Sequence, residues 1–259
     1  MERITAVAFD LFNTLITMET VALEKALDRL LGSLGQSGFT LESTLFKRVY
    51  LEETVRFVGE ARRNGRETHN RFWIAATLRS LGHRVRPDDP RIAAAVDAYF
   101  SAFFEHCCLI PGTSEMLGIL KDRYRLGLLS NFTHGPAARR IIDQVGLTSL
   151  FEVVLISGEL GYRKPHPTVY RRLMKDLDVK GHQILYVGDD PEPDIFGARK
   201  AGLRPVWFTY VQDHGIPFAP GIMSSEKEVP GSDVPRASTW EDLLALLAQS
   251  QGNSGIGGE

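Results

Sequence analysis

Short, continuous runs of apolar residues recur between residues 109 and 207 and alternate with segments whose apolar residues have helical spacing. The runs lie in the stretches YRLGLLSN, FEVVLIS, QILYVGDD and RPVWFTY, and a similar run, AVAF, stands near the start of the chain. Such runs are typical of strands that are buried on both faces of a parallel sheet. Strands that alternate with helices predict right-handed βαβ units, so we expect an α/β fold with a Rossmann-like, doubly wound parallel sheet.

Residues 18–108 have only the helical pattern. The stretches METVALEKALDRLLGSLG, ESTLFKRVYLEETVRFVGEARR, NRFWIAATLRSLG and PRIAAAVDAYFSAFFEH all carry apolar residues at helical spacing. This predicts an all-helical domain of about four helices, inserted between the first strand and the remainder of the sheet. The core domain is then formed by residues 1–17 and 109–248, and we expect the hinges at residues 17–18 and 109–112.

Two further segments differ in composition from both domains. Residues 212–236 are rich in Pro, Gly and Ser and predict a long surface loop, to which the sequence assigns no role. This loop leads to a final helix that is expected from Trp240 to Gln249. Residues 249–259, QSQGNSGIGGE, are rich in Gly and Ser, which predicts a disordered tail.

The composition is that of a soluble globular protein. The 259 residues are 43% hydrophobic and 24% charged, and the formal net charge is −2. This charge gives no electrostatic reason to expect nucleic acid or an anionic membrane as a partner. The sequence has no apolar run that approaches the roughly 20 residues needed to span a bilayer.

The start of the chain and its cysteines predict a location. The chain enters its first strand without room for a signal peptide. Its two cysteines, Cys107 and Cys108, are adjacent, and adjacent cysteines rarely bridge each other. We therefore expect a reducing, cytoplasmic compartment. For the oligomeric state, the expectation is a monomer or a homodimer.

Polar residues stand where three of the predicted strands end. Asp10 ends the first strand, Ser130 and Asn131 end a second, and Asp189 and Asp190 end a third. Capping of the following helix explains any one of them alone. The carboxyl ends of strands in a doubly wound sheet meet at one crevice, where ligands bind. Three such strand ends, together with a lysine, are better explained by a shared pocket.

Four motifs in this order resemble those of the haloacid dehalogenase-like (HAD) hydrolase superfamily. They are DLFNTL, LLSN, GYRKPHPTVY and YVGDDPEPDIFGARKAG, and the resemblance extends over residues 4–208. The helical insertion stands where this superfamily carries a C1-type cap. The resemblance implies a hydrolase with Asp10 as nucleophile, Thr14 beside it, Ser130 and Asn131 in the second motif and Lys164 in the third.

The chemistry that this resemblance implies is covalent catalysis. Asp10 would attack an electrophilic centre and form a covalent intermediate, which divides one difficult displacement into two steps. Lys164 would keep Asp10 ionised and offset charge on the transferred group. Ser130 and backbone N–H groups after the first strand would donate hydrogen bonds where negative charge develops.

The resemblance also implies a metal site at the same edge of the sheet. Its ligands would be the carboxylate of Asp10, the backbone carbonyl of Phe12, and Asp189 with Asp190 or Asp194. Carboxylate and carbonyl oxygens, together with water and phosphate, are the ligands that Mg²⁺ prefers. We therefore expect Mg²⁺ as the cofactor.

Phe12 departs from the phosphatase pattern of the superfamily. Phosphatase members normally have a second aspartate at this position, which acts as general acid and then as general base. Phe12 can do neither, and general acid–base catalysis typically contributes a factor of about 10²–10⁴ in rate. Dehalogenase members carry an aromatic residue there, because halide leaves without a proton. Together with Ser130 and Asn131, Phe12 favours a 2-haloacid dehalogenase.

The fourth motif favours phosphate chemistry instead. Asp189, Asp190, Glu192 and Asp194 lie within the stretch GDDPEPD, and so many carboxylates repel one another unless a cation lies among them. The sequence also has no arginine at residues 40–44, where dehalogenases bind the substrate carboxylate. The favoured function is a Mg²⁺-dependent phosphatase that acts on a small phosphate monoester. The alternatives are a 2-haloacid dehalogenase and a non-catalytic or weakly active protein on the same scaffold.

Basic residues in the inserted domain are candidates for contact with a small anionic substrate. The stretch EARRNGRETHNRFW contains several of them, which a solvated helix end also explains. The functional hypothesis is that Arg62 or Arg66 faces the substrate. His134, three residues beyond Asn131, is the candidate to replace the acid that is absent at Phe12.

Overall fold

The computed structural model describes residues 3–218 and 229–252. Within them the strands are β1 Ala6–Phe9, β2 Ile16–Met18, β3 Cys107–Leu109, β4 Arg125–Ser130, β5 Val153–Ile156, β6 Ile184–Gly188, β7 Arg204–Phe208 and β8 Arg236–Ala237. The α-helices are α1 Val21–Gln36, α2 Ser43–Asn64, α3 Asn70–Ser80, α4 Pro90–His106, α5 Thr113–Lys121, α6 Gly135–Gln144, α7 Ser157–Leu160, α8 Pro167–Asp176, α9 Gly197–Lys200, α10 Tyr210–Asp213 and α11 Trp240–Gly252.

Six of these strands form one sheet in the order β5-β4-β1-β6-β7-β8, and each neighbouring pair is parallel. β1 lies in the middle, between β4 and β6. Its successive residues face opposite sides, since Val7 and Phe9 join one buried apolar cluster whereas Ala6 and Ala8 join another. Both faces of the strand are therefore buried, which explains its continuous apolar run and confirms the predicted doubly wound α/β fold.

Helices cover both faces of this sheet. α5, α6 and α11 contribute Leu117, Ile141 and Leu243 to the first cluster. α8 and α9 contribute Tyr170 and Ala198 to the second cluster. Within the part of the chain that the structure describes, no helix is both long enough and apolar enough to cross a membrane.

The four helices α1–α4 occupy the segment for which an all-helical insertion is predicted. They lie between β2 and β3, which pair antiparallel with Ile16 opposite Leu109. The two connections to the core thus form a short ribbon, and the expected hinges lie in it or beside it. Within the insertion α1 packs along α4, where Arg29 donates to Ser101 at 2.9 Å and to Glu105 at 2.6 Å.

Two segments near the end of the chain differ from expectation. α11 continues past the expected end at Gln249 to Gly252, so the first residues of the expected tail are helical. The remainder of that tail, residues 253–259, lies outside the described residues. The expected surface loop begins inside α10 and ends at β8, which pairs with β7 through Trp207 opposite Arg236. Residues 219–228 of this loop also lie outside the described residues.

Candidate active site

The loop after β1 places Asp10 at the carboxyl edge of the sheet. The backbone N–H of Asp10 donates to the carbonyl of Val187 on β6 at 2.9 Å. The chain then turns at once, because the N–H of Leu15 donates to the carbonyl of Leu11 at 2.8 Å. Asn13, with φ 60°, adopts the left-handed conformation within this turn. The Asp10 side chain borders a cleft, although the residue is only 8% exposed.

Lys164 is the cation at the centre of the site. Its buried ammonium group donates to Oδ1 of Asp10 at 2.7 Å, to Oδ1 of Asp194 at 2.7 Å and to the hydroxyl of Tyr186 at 2.9 Å. An ammonium group has three N–H donors, so these contacts use all of them. The Tyr186 hydroxyl in turn donates to the carbonyl of Leu129 at 3.0 Å. Lys164 is therefore held in one position between two carboxylates.

Burial and charge determine the protonation of these groups. Burial raises the pKa of Asp10 to about 6, against the opposing effect of Lys164 and with a further contribution from Asp194. Burial disfavours the charged form of Lys164, but the carboxylates of Asp10 and Asp194 raise the pKa of this lysine above its usual value. At neutral pH Lys164 is charged and Asp10 is mostly ionised, which is the form that can attack an electrophile or bind a cation.

Three buried carboxylates converge at this edge of the sheet. One oxygen from each of Asp10, Asp189 and Asp194 lies within 4.8 Å of the other two. Like charges at this separation repel in a buried site, and the ammonium group of Lys164 contacts two of the three, Asp10 and Asp194. The hydroxyl of Thr14 lies 3.5 Å from Oδ1 of Asp189 and donates to it. The hard oxygen donors of these converging carboxylates fit a divalent cation such as Mg²⁺.

The loop after β6 turns back so that Asp194 reaches the lysine. It forms a π-helical turn, Pro191–Phe196, in which the backbone N–H of Asp190 donates to Oδ2 of Asp194 at 3.0 Å. Gly188 leaves room for this approach, because a Cβ at that position would lie 2.4 Å from Cγ of Asp194. Asp190 itself is half-buried and lines the cleft.

The two polar residues at the end of β4 have different roles. Ser130 is 1% exposed and lines the cleft. The amide nitrogen of Asn131 donates to the backbone carbonyl of Lys164 at 3.0 Å, and its Oδ1 accepts from the backbone N–H of Lys164 at 2.7 Å. The Asn131 side chain thus forms two hydrogen bonds to the main chain of the lysine. Asn131 therefore positions Lys164 and also lines the cleft, so its predicted catalytic role stays a prediction.

A cleft of about 440 Å³ lies between the edge of the sheet and the helical domain. The charged groups described above and Ser130 border it on the core side. Its other walls are largely apolar and contain Phe12, Met18, Leu23, Val58, Trp73, Tyr99, Phe100, Phe103 and Phe132. The rings of Phe12 and Phe132 stack with their centroids 5.3 Å apart and their planes inclined by 5°.

Glu67 links the helical domain to the core beside this cleft. Its side chain is 2% exposed. Its Oε1 accepts from the guanidinium of Arg163 at 3.3 Å and from the N–H of Thr68 at 2.9 Å, and its Oε2 accepts from the hydroxyl of Ser157 at 2.5 Å. Arg163 directly precedes Lys164 in the sequence. The contact therefore ties the inserted domain to the loop that carries the lysine.

We expect Glu67→Gln to lower the free energy of unfolding by about 1–3 kcal/mol, because Arg163 is left without its anionic partner at a mostly buried position. Thermal denaturation of the purified proteins measures this effect. Glu60→Gln is the matched control, since Glu60 is exposed and lies 3.4 Å from Arg56 in a surface ion pair. That control is expected to change stability by less than about 0.5 kcal/mol. Equal melting temperatures for the two variants would contradict the role given to Glu67.

The structure separates the three residues predicted to meet the substrate. Arg62 lines the cleft. The guanidinium of Arg66 instead lies 5.6 Å from the ring centroid of Tyr162. His134 caps α6, where its Nδ1 accepts a backbone N–H at 3.3 Å, and its ring stacks on Phe100 with centroids 4.8 Å apart. Neither Arg66 nor His134 is among the described residues that line the cleft.

Sequence reasoning missed the residues that join the two domains. Besides the contact of Glu67 with Arg163, the hydroxyl of Thr133 donates to Oδ1 of Asn70 at 2.5 Å, from the core to the start of α3. Arg163 carries a signal, because it stands directly before Lys164 in the third motif. Asn70 and Thr133 carry none, since helical spacing does not tell which turn of the inserted domain faces the core.

Comparisons with known proteins agree with this geometry. A family model described as haloacid dehalogenase-like hydrolase matches residues 4–202. Glyceraldehyde 3-phosphate phosphatase from Pyrococcus furiosus is 28% identical over 81% of this chain and 82% of its own length. Ribulose-1,5-bisphosphate 5-phosphatase from Halopiger xanaduensis is 29% identical over 79% of this chain and 84% of its own length.

A solved structure shares the fold at lower identity. The 2-haloacid dehalogenase from Pseudomonas syringae pv. Tomato DC3000 superposes with a TM-score of 0.66 at 20% identity, covering 95% of this chain and 99% of that protein. The family model extends over most of the sequence and includes all four motifs, and the structure brings the charged residues of those motifs together at one edge of the sheet. The chain belongs to the haloacid dehalogenase-like hydrolase family.

Proposed function

We propose that this hydrolase is a Mg²⁺-dependent phosphatase that cleaves a small phosphate monoester with Asp10 as its nucleophile. The observation that supports this most strongly is the convergence of the buried carboxylates of Asp10, Asp189 and Asp194 around one lysine. Displacement of a halide needs one carboxylate nucleophile. A phosphate group brings further negative charge, which a divalent cation held by additional carboxylates offsets.

The residues of the site would act in two steps. In the first, an oxygen of Asp10 forms a bond to phosphorus while the bond to the leaving oxygen breaks, and the electron pair stays on that oxygen. In the second, water attacks phosphorus and releases inorganic phosphate from Asp10. Lys164 offsets charge on the nucleophile and on the transferred group, and Ser130 donates a hydrogen bond to that group.

Oxygen atoms of the same loops would hold the cation. Asp10, the backbone carbonyl of Phe12 and Asp189 would be ligands of the cation. Asp190 or Asp194 would be the last ligand that the protein supplies. When bound, Mg²⁺ would neutralise phosphoryl oxygens and orient the group for attack. Asp194 also accepts from Lys164, so the lysine and the cation would share its carboxylate.

The names of the curated relatives support phosphate chemistry. The two described above are named as phosphatases of glyceraldehyde 3-phosphate and of ribulose 1,5-bisphosphate. These relatives support only the reaction class, hydrolysis of a phosphate ester. Their substrates are not transferred to this chain, because names alone do not show which residues bind them.

A 2-haloacid dehalogenase is the second candidate, and two observations favour it. Phe12 stands where a phosphatase has its acid, and the cleft is largely apolar. In that reaction Arg62, which lines the cleft, would bind the carboxylate of the substrate. A non-catalytic protein on the same scaffold would release neither phosphate nor halide.

We expect phosphate release from 4-nitrophenyl phosphate to require Mg²⁺ and to stop with EDTA. This leaving group needs little protonation, so Phe12 does not mask the activity. Asp189→Asn is expected to raise the Mg²⁺ concentration for half-maximal activity at least about tenfold, because a cation ligand is weakened. Asp233→Asn, an exposed carboxylate paired with Arg199 at 2.8 Å, is the control and leaves that concentration unchanged. Turnover that EDTA does not affect would contradict the proposal.

We also propose a cytoplasmic location and a monomeric or homodimeric state. Cys107 and Cys108 are free, which supports a reducing compartment. The proposed partner is a small anionic substrate, bound in the cleft, and nucleic acid is not expected.

A further inference from the structure

Aromatic rings form one continuous wall of the cleft. Phe12 and Phe132, both from the core, stack with nearly parallel planes. The ring of Phe132 lies 5.3 Å from that of Phe100 and 6.1 Å from that of Phe103, measured between centroids, and both of these residues are on α4 of the helical domain. Phe12 follows Asp10 by two residues, so the wall begins beside the proposed nucleophile and borders the space that a leaving group would occupy.

Among the described residues that line this cleft, none on its aromatic side is suited to deliver a proton. Phe12 is a hydrocarbon, and the guanidinium groups of Arg62 and Arg163 keep their protons. Both carboxylate oxygens of Glu67 already accept hydrogen bonds, which leaves neither turned toward a leaving group. Burial raises the pKa of Tyr99 well above its usual value, so its hydroxyl is a weak acid. The remaining carboxylates that line the cleft follow β1 and β6, and Asp10, Asp189, Asp190 and Asp194 are the proposed nucleophile and cation ligands, whereas Glu192 lies in the loop after β6, away from the aromatic wall on α4.

Without a proton donor among the described residues on the aromatic side of the cleft, the choice of leaving group is restricted. When the bond from phosphorus to the leaving oxygen breaks, its electron pair remains on that oxygen as a negative charge. A general acid normally contributes a factor of about 10²–10⁴ at this point. That factor matters greatly for an alkoxide. It matters little for an oxyanion that spreads its charge over an aromatic ring and takes up a proton from water after release.

The aromatic wall independently favours a ring. The ring of Phe132 is stacked on that of Phe12 and tilted against that of Phe100, and a phenol ring can join such a cluster through the same contacts. A polyol in the same place would bury hydroxyl groups against hydrocarbon, which is unfavourable without hydrogen-bond partners. Resting on the proposed phosphatase function, we infer that the substrate is an aryl phosphate, a phosphate monoester of an aromatic alcohol.

Four substrates separate the two parts of this inference. 4-Nitrophenyl phosphate has a ring and a good leaving group, whereas benzyl phosphate has a ring and a poor one. Acetyl phosphate has a good leaving group without a ring, and glycerol 3-phosphate has neither. With Mg²⁺, we expect kcat for 4-nitrophenyl phosphate to exceed that for benzyl phosphate about 10²-fold or more. We expect acetyl phosphate to have a similar kcat to 4-nitrophenyl phosphate and a KM about tenfold higher.

Two substitutions of one residue provide the matched controls. Phe12→Asp and Phe12→Leu both remove the ring, but only the aspartate supplies an acid. Phe12→Asp is expected to have a kcat for benzyl phosphate at least about tenfold above that of Phe12→Leu, which loses the same ring without gaining an acid. Calorimetric titration of the metal-free proteins with 4-nitrophenol gives a readout without turnover, and Phe12→Leu is expected to bind this phenol several-fold more weakly than the wild type.

The possible results distinguish this inference from the function on which it rests. A kcat for benzyl phosphate and glycerol 3-phosphate within a few-fold of that for 4-nitrophenyl phosphate would overturn the inference and leave the phosphatase function standing. A KM for acetyl phosphate as low as that for 4-nitrophenyl phosphate would overturn the role of the aromatic wall. If none of the four substrates released phosphate in a Mg²⁺-dependent manner, the proposed function would fail and the inference with it.

Discussion

Replacement of Asp10 by asparagine is expected to lower kcat for 4-nitrophenyl phosphate by a factor on the order of 10⁴ or more. The amide has nearly the same shape as the carboxylate but is not a nucleophile, so the covalent step cannot occur. Phosphate release at saturating Mg²⁺ measures the effect. Asp28→Asn, which removes an exposed carboxylate 2.6 Å from Lys47, is the control and keeps full activity.

The stability of the same variant shows whether the loss is chemical. Burial raises the pKa of Asp10 to about 6 from an ordinary value of 3.8. A raised pKa means that ionisation of Asp10 disfavours the folded state, progressively as the pH rises from 3.8 to 6 and fully above that range. Asp10→Asn also removes one partner of Lys164, which keeps Asp194, so in EDTA at pH 8 the variant should remain folded and unfold close to the wild-type temperature. An active Asp10→Asn protein would refute the assignment of the nucleophile.

Replacement of Lys164 by methionine is expected to have the largest effect on stability. The ammonium group lies 2.7 Å from both Asp10 and Asp194, at nearly complete burial, and its loss leaves their charges unpaired. Breaking a buried ion pair on one side typically costs about 3–5 kcal/mol. Loss of the charge beside the transferred group is expected to reduce kcat about 10²–10³-fold as well.

Thermal denaturation in EDTA and in Mg²⁺ tests this expectation. In EDTA, Lys164→Met should melt well below the wild type. The rise in melting temperature on adding Mg²⁺ should be larger for the variant, because binding to the folded state is stabilising and the site has become more negative. Lys175→Met, an exposed lysine on α8, is the control. Equal melting temperatures of Lys164→Met and its control in EDTA would contradict the central position given to this lysine.

The fold and the charged edge of the site could be predicted because both follow from local patterns. The apolar run before Asp10 predicts a strand buried on both faces. In the structure, alternate residues of β1 belong to the two apolar clusters on opposite faces of the sheet. Parallel strands bring their carboxyl ends to one edge, so residues as distant in sequence as Asp10 and Asp189 meet there.

The contacts between the two domains could not be predicted in this way. Helical spacing gives the buried side of a helix but not the turn that meets another domain, so the contact of Glu67 with Arg163 has no local signal. His134 illustrates a related limit. Its position near the second motif suggests a catalytic role, but its Nδ1 caps α6 and its ring packs on Phe100.

The role of Asn131 depends on a contact that sequence spacing does not contain. Its amide binds the main chain of Lys164 on both sides, across 33 residues of sequence. A polar residue at a strand end predicts a pocket, but whether it contacts a ligand or holds another loop depends on that loop's path. Asn131 both holds the main chain of the lysine and lines the cleft.

The most direct test of the proposed function compares two substrates in parallel. The protein is incubated with Mg²⁺ and either 4-nitrophenyl phosphate or 2-chloropropionate, and inorganic phosphate and chloride are measured. A phosphatase with Asp10 as nucleophile releases phosphate only when Mg²⁺ is present and releases no chloride. Chloride release that EDTA does not reduce, without phosphate release, would contradict the account and assign the site to a dehalogenase.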